Sequence, residues 1–180
     1  MSSRFVQTGR KVVYEGKFIA VEVRTFRHED GEEVTREIVT HPGAVGVVVL
    51  DGDDLWLVRQ PREAVGSPNL LELPAGKLDE EGESPLDTAK RELAEEIGKQ
   101  AERWEDLGSF YTSAGFSDEE VFLYLATGIS DVDERPEVEE NERIDVEVRP
   151  LADLDAILAE TKDAKTLIGL MKLRERLRTD

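Results

Sequence analysis

Three carboxylates, Glu92, Glu95 and Glu96, fall within five residues in the run Arg91-Glu92-Leu93-Ala94-Glu95-Glu96-Ile97-Gly98. An oxygen-rich set of this kind suits a hard divalent cation such as Mg2+ or Mn2+. Such an ion keeps several of its waters and shares the phosphate oxygens of a substrate. The run therefore reads as part of a site that handles a phosphate chain. Glu92 and Glu96 are four residues apart, so on a helix they stand on one side, one turn apart, while Glu95 points away. Like charges at that spacing repel, more strongly when partly buried, and a helix keeps them together only for a reason. Arg91 is placed to hold Glu95 across one turn. The alternative is a solvated, charged helix surface without function, and Glu83 reads equally well as a loop surface charge.

The element that must position these groups is marked at both ends. Ser84 is a good N-cap, and Pro85 fits the first helical position, where its missing N–H has no partner to lose. Asp87 sits in the first turn, where the helix dipole favours negative charge. Gly98 stands where a left-handed C-terminal cap belongs. These signals predict a helix from Pro85 to Ile97, with Leu86, Ala89, Leu93 and Ile97 as its apolar face.

The segment resembles the Nudix box, Gly-x5-Glu-x7-Arg-Glu-U-x-Glu-Glu-x-Gly-U with U aliphatic. This chain supplies Gly76, Glu83, Arg91, Glu92, Leu93, Glu95, Glu96 and Gly98. It departs in having six residues between Gly76 and Glu83, and Lys99 at the last position. Leu71-Glu72-Leu73-Pro74-Ala75-Gly76 is similar to the ADP-ribose pyrophosphatase branch of that family. So are Arg36-Glu37, His41 to Val45, Val58 to Arg62 and Ser113 to Glu119, where Ala114 replaces the proline of many members. Glu140 to Ile144 resembles the acidic loop that carries the catalytic base. The likeness runs from about Val12 to Leu173.

The resemblance implies a metal-dependent hydrolase that splits ADP-ribose into AMP and ribose 5-phosphate. The alternatives are a pyrophosphatase for another nucleoside diphosphate derivative, such as a nucleotide sugar, and a non-catalytic nucleotide sensor. Sensors of this family usually lose box glutamates, and all three are present here. By the same resemblance Glu92 and Glu96 bind the metal with the backbone carbonyl of Ala75, Glu95 assists, and Arg91 orients the acids. Glu142 is then the base that deprotonates the attacking water, with Glu140 beside it. The implied fold is an α/β/α sandwich with a mixed central sheet, plus an N-terminal antiparallel β-sheet that packs across a homodimer and helps build the partner's pocket. The competing expectation is a monomer in which those strands extend the main sheet.

Arg36, Arg59 and Arg62 are candidates to grip substrate phosphates through guanidinium–phosphate pairs, although exposed strand arginines are usually ordinary surface. Glu37 comes with Arg36, and Glu72 is a candidate for the ribose or base end. Gly115 lets a backbone approach a ligand closely. Phe116 or Phe18 is placed to stack on a base, although burial in a core is the commoner aromatic role. His28 reads as surface and His41 as structural, ahead of Pro42.

Forty-one acidic against 23 basic residues leave a net charge of −18. That opposes binding to nucleic acid or an anionic membrane. An anionic substrate is compatible with it if bound cations and a few arginines line the site. The longest apolar run, Ala44 to Leu50, is far too short to span a bilayer, and the first residues lack the apolar core of a signal peptide. Cysteine is absent, which excludes disulfides and a thiol nucleophile. A cytoplasmic protein is the expectation.

Strand signals fill the rest. Val12 to Tyr14, Phe18 to Phe26 and Val34 to Thr40 form an antiparallel unit turning at Asp30-Gly31. A break at Pro42-Gly43 divides residues 1–42 from a catalytic domain, 43–180. In the latter, strands are expected at Ala44 to Leu50, Leu55 to Arg59, Leu71 to Leu73, Asp106 to Thr112, Val121 to Ala126 and Val146 to Arg149. Asp131 to Glu142 reads as a loop. Helices are expected over about Ala152–Glu160 and Ala164–Arg178, which together with the strands gives an α/β class.

Overall fold

The structure, a computed structural model, describes residues 4–136 and 143–179. The chain forms two compact units: Met1–Gly43 with Phe110–Glu120, and Ala44–Ser109 with Val121–Asp180. The first unit thus takes in a segment that the sequence reading assigned to the catalytic domain.

In the first unit β1 (Phe5–Glu15), β2 (Ala20–His28) and β3 (Glu33–Thr40) make an antiparallel sheet in that order. The β2–β3 turn lies at Asp30-Gly31 as expected. Gly31 takes a positive φ of 88°, and Asp30 Oδ1 accepts the Glu32 N–H at 3.0 Å. β1 is much longer than Val12 to Tyr14. Its register shifts twice, between Gln7 and Gly9 and between Val12 and Tyr14, and nearly every residue is exposed. A strand without a buried face carries no alternation for a sequence to show. The Phe110–Glu120 segment is stitched to β3: the Val39 N–H donates to Phe116 O at 2.8 Å, and the Asp118 N–H donates to Val39 O at 3.2 Å. Glu22 is fully buried between Arg10 and Arg24, and Arg24 also reaches Asp118 at 3.3 Å.

The second unit holds a seven-stranded mixed sheet. Its strands are β4 (Ala44–Asp51), β5 (Asp54–Arg62), β6 (Ser67–Glu72), β7 (Ala75–Lys77), β8 (Lys99–Tyr111), β9 (Glu120–Asp131) and β10 (Asp145–Pro150). The main order is β10-β5-β4-β9-β8, with β6 on β5 and β7 on β4; β4 and β9 are parallel. The expected strand at Leu71 to Leu73 is in fact two strands broken at Leu73-Pro74. Proline has no N–H to extend the ladder, and the Pro74 carbonyl instead accepts from the Val47 N–H at 2.8 Å.

Helices α1 (Pro85–Ile97), α2 (Leu154–Glu160) and α3 (Ala164–Leu177) complete the unit. The start of the predicted Ala152–Glu160 helix is a 3-10 turn, Leu151–Asp153. The period of two along β4 sets the layers. Val45, Val47 and Val49 share a buried cluster with Ala89, Leu93 and Ile97 of α1. The intervening Gly46 and Val48 face α3: a Cβ on Gly46 would lie 3.8 Å from Lys165, and Val48 abuts Gly169. The result is the expected α/β/α sandwich. Among the described residues no helix is long and apolar enough to cross a membrane.

Leu93 is wholly buried in the α1 face. Leu93→Ala is expected to lower unfolding free energy by about 2–5 kcal/mol. Urea denaturation measures it, and a loss below about 1 kcal/mol would show that α1 is not anchored by this core.

Candidate active site

Helix α1 is built as its sequence dictates. Ser84 Oγ accepts the Asp87 N–H at 3.2 Å, Pro85 opens the helix, and Gly98 closes it at φ 67° with its N–H on Ala94 O. The helix presents its acids to one guanidinium. Arg91 Nη1 donates to Glu92 Oε1 at 2.9 Å and to Glu95 Oε2 at 3.0 Å, while Nε and Nη2 each reach Glu83 at 3.2 Å. Glu83 also accepts from the Thr88 hydroxyl at 2.9 Å. It is therefore a member of the cluster and not a free loop charge.

The strand leading into this helix meets the same acids. A Cβ on Gly76 would lie 1.9 Å from the Glu92 carboxylate, so only glycine admits that side chain. Glu96, 2% exposed, accepts the Ala75 N–H at 2.9 Å through Oε2. At the other end of α1, Arg135 donates to the carbonyls of Glu95 and Glu96. Those carbonyls are orphans of the last turn, where a cation is favoured. Sequence reasoning missed Arg135, which lies 39 residues from Glu96.

The other candidates are placed as follows. Arg36, Gly115 and Phe116 line a groove of about 370 Å³ in the first unit, together with Phe26, Val34 and Ile38. Glu37 lies on β3 opposite Val23. Phe116 and Phe18 are both more than half exposed, so neither is a core aromatic. His41 Nδ1 accepts the Gly43 N–H at 3.1 Å, a structural role. In the second unit Arg59 is engaged by Glu147 and Glu160. Arg62 forks onto Glu72, which is fully buried and also held by Lys165. Glu140 and Glu142 lie outside the described residues.

The charges follow from these contacts. Hydrogen bonding from Arg91, and then from Thr88, holds Glu83 below the usual glutamate range despite partial burial. Burial opposes the charge on Arg91, but the Glu83 bond and the fields of Glu92 and Glu95 raise its pKa further. Burial likewise pushes Glu72 up, and Arg62 and Lys165 together more than reverse it.

Among the described residues no three acidic or histidine side chains converge as a ready-made metal cage; the acids close on Arg91 instead. The donor set still fits a hard cation. Magnesium is commonly held by one or two carboxylates, completed by water and substrate oxygens. Glu92 and Glu96, beside the Ala75-Gly76 strand, offer that pair.

Glu83 and Glu72 both ionise in the folded protein below the ordinary value near 4.5. Their stabilisation is complete above that pH and is lost as pH falls through the lower folded values. Thermal stability should therefore drop steeply below about pH 4.5. Glu83→Gln should flatten that acid limb in a pH series of melting curves, and an unchanged slope would remove Glu83 from the charged cluster.

A family model described as NUDIX domain matches residues 40–170. Over 168 residues the chain is 38% identical to the ADP-ribose pyrophosphatase of Bacillus subtilis (strain 168), covering 92% of this chain and 90% of that one. Over 165 residues it is 36% identical to the methanol dehydrogenase activator of Bacillus methanolicus, covering 90% and 88%. The crystal structure of an ADP compounds hydrolase matches with a TM-score of 0.84 at 22% identity, over 98% of this chain and 95% of that one, a likeness of fold. The match along most of the chain, with the acidic helix it contains, shows that this protein belongs to the NUDIX domain family.

Proposed function

We propose that the protein hydrolyses the pyrophosphate bond of ADP-ribose to give AMP and ribose 5-phosphate. The observation that carries this is the acidic cluster of α1, in which Glu92 and Glu96 meet the Ala75-Gly76 strand and Arg91 fixes their surroundings. The relative from B. subtilis named ADP-ribose pyrophosphatase supports the substrate.

In this reading Glu92, Glu96 and the Ala75 carbonyl hold Mg2+ or Mn2+, with Glu95 assisting. A divalent ion bound there neutralises diphosphate oxygens and acidifies water. Arg91 keeps like-charged side chains within reach of one another. Glu142, with Glu140 beside it, removes the proton of the attacking water. Arg62 grips a phosphate: its side chain remains 41% exposed, whereas Arg59 is engaged by Glu147 and Glu160. The other residues assigned to the substrate are Arg36, Glu37, Gly115 and Phe116 of the first unit, and Arg59 and Glu72 of the second.

A homodimer formed through the N-terminal sheet belongs to the same reading. The exposed Phe5, Val6, Val12, Val13 and Tyr14 of β1 support it, because such apolar surface commonly marks an interface. Cytoplasmic residence also belongs here, since an anionic nucleotide derivative does not cross a membrane unaided.

Purified protein with Mg2+ should turn over ADP-ribose among the best of a panel of nucleoside diphosphate derivatives. A nucleotide sugar clearly ahead of it would replace the substrate assignment. A chelator should abolish activity and added Mg2+ or Mn2+ should restore it. Glu96→Gln should remove turnover, and Glu142→Gln should cut kcat by roughly 10²–10⁴ with metal binding retained. Unchanged turnover in Glu142→Gln moves the base elsewhere. Light scattering should report a dimer, and a monomer would end the dimer assignment.

A further inference from the structure

Glu72 has two cationic partners, and they are not equivalent. Arg62 places Nε 2.6 Å from Oε1 and Nη2 2.8 Å from Oε2, from a side chain that stays 41% exposed. Lys165 holds Oε2 from a side chain only 13% exposed, and Asp163 Oδ1 lies 3.1 Å from the same ammonium. The lysine stem lies over Gly46, with Cδ 3.8 Å from where a Cβ would stand. Gly46 is itself the ladder partner of Ala75.

Lys165 sits in the first turn of α3, where the helix dipole disfavours a positive charge. Local preference does not account for it, but its two carboxylate partners do. Asp163 is itself pinned as the N-cap, its Oδ2 accepting the Thr166 N–H at 2.9 Å and the Thr166 hydroxyl at 2.6 Å. Thr166 Oγ1 in turn accepts the Leu73 N–H at 2.8 Å, beside Glu72. The lysine is fixed at stem and head, whereas Arg62 forks onto Glu72 from a side chain that is 41% exposed against 13% for Lys165.

A buried carboxylate stripped of its only cation is strongly destabilised. If Arg62 were the sole partner of Glu72, it would be locked there. We propose that Lys165 is the standing counter-ion of Glu72 and thereby frees Arg62 to exchange that carboxylate for a phosphate oxygen of the substrate. No covalent bond changes: a forked guanidinium–carboxylate pair gives way to a guanidinium–phosphate pair of like geometry. Lys165 is then a positioning residue, acting on the substrate through Arg62. The inference rests on the reading of Arg62 as a phosphate grip.

The test is a double-mutant cycle on Lys165→Met and Glu72→Gln, with Arg62→Gln and Lys165→Arg alongside. Two measurements are made: steady-state kinetics on ADP-ribose with Mg2+, and calorimetric binding of AMP, which requires no turnover. Lys165→Met should raise KM and weaken AMP binding by about tenfold or more, with kcat moved less. With Glu72 neutralised, adding Lys165→Met should change KM by less than about twofold. Lys165→Arg should restore KM. Should Lys165→Met fail to fold, Lys165→Gln keeps a polar stem without the charge and is judged by the same cycle. An unchanged KM, or the same increase with and without Glu72→Gln, overturns the proposal. If Arg62→Gln raises KM and Lys165→Met does not, the counter-ion role alone fails. If Arg62→Gln changes neither KM nor AMP affinity, the phosphate grip is wrong and the exchange falls with it.

Discussion

One guanidinium among several carboxylates is the interaction on which the second unit's acidic site depends. Arg91 joins Glu92 and Glu95 from its own helix to Glu83 from the loop before it. Glutamates on successive turns repel, and the repulsion grows as water is excluded. The arginine offsets that repulsion without cancelling the negative charge, because one guanidinium faces three carboxylates, Glu83, Glu92 and Glu95. In the function proposed above, that surplus makes the helix a place for cations in a protein whose net charge would otherwise repel a phosphate substrate.

The scaffold around this helix is governed by close approach. Gly76 lets Glu92 lie against the strand backbone, and Gly46 and Gly169 let α3 settle on the opposite face of the sheet. Alternation along β4 then separates the tasks. Val45, Val47 and Val49 anchor the acidic helix, and the residues between them receive α3. From that second face, Thr166 and Lys165 reach the Leu71 to Leu73 segment that leads to Ala75. The strand is therefore fixed from both sides: Glu96 binds its Ala75 amide, and α3 binds the residues just before it.

Each unit also buries one carboxylate between two cations. Glu22 lies between Arg10 and Arg24 in the first, and Glu72 between Arg62 and Lys165 in the second. Burying charge is costly unless every lone pair is answered, so such triads fix which side chains meet. They contribute little net stability compared with an apolar replacement, but they penalise any arrangement that leaves one member unpaired.

The acidic helix was legible to the residue, from the Ser84 cap to the Gly98 close, because those interactions join positions a few residues apart. The hairpin at Asp30-Gly31 and the strand at Ala44 were legible for the same reason. β1 was not, since an exposed strand has no buried face to print a pattern. Partner choice among the charges also escaped the sequence, which gives no sign that Arg59 pairs with Glu147 and Glu160. Lys165 carried no chemical signal at all, its partner Glu72 lying 93 residues away. The chain by itself thus determined the helix, its caps and the identity of its acids, all set by contacts within a turn or two. Only the tertiary structure decided which cation answers which carboxylate, because that depends on which strands the sheet places side by side.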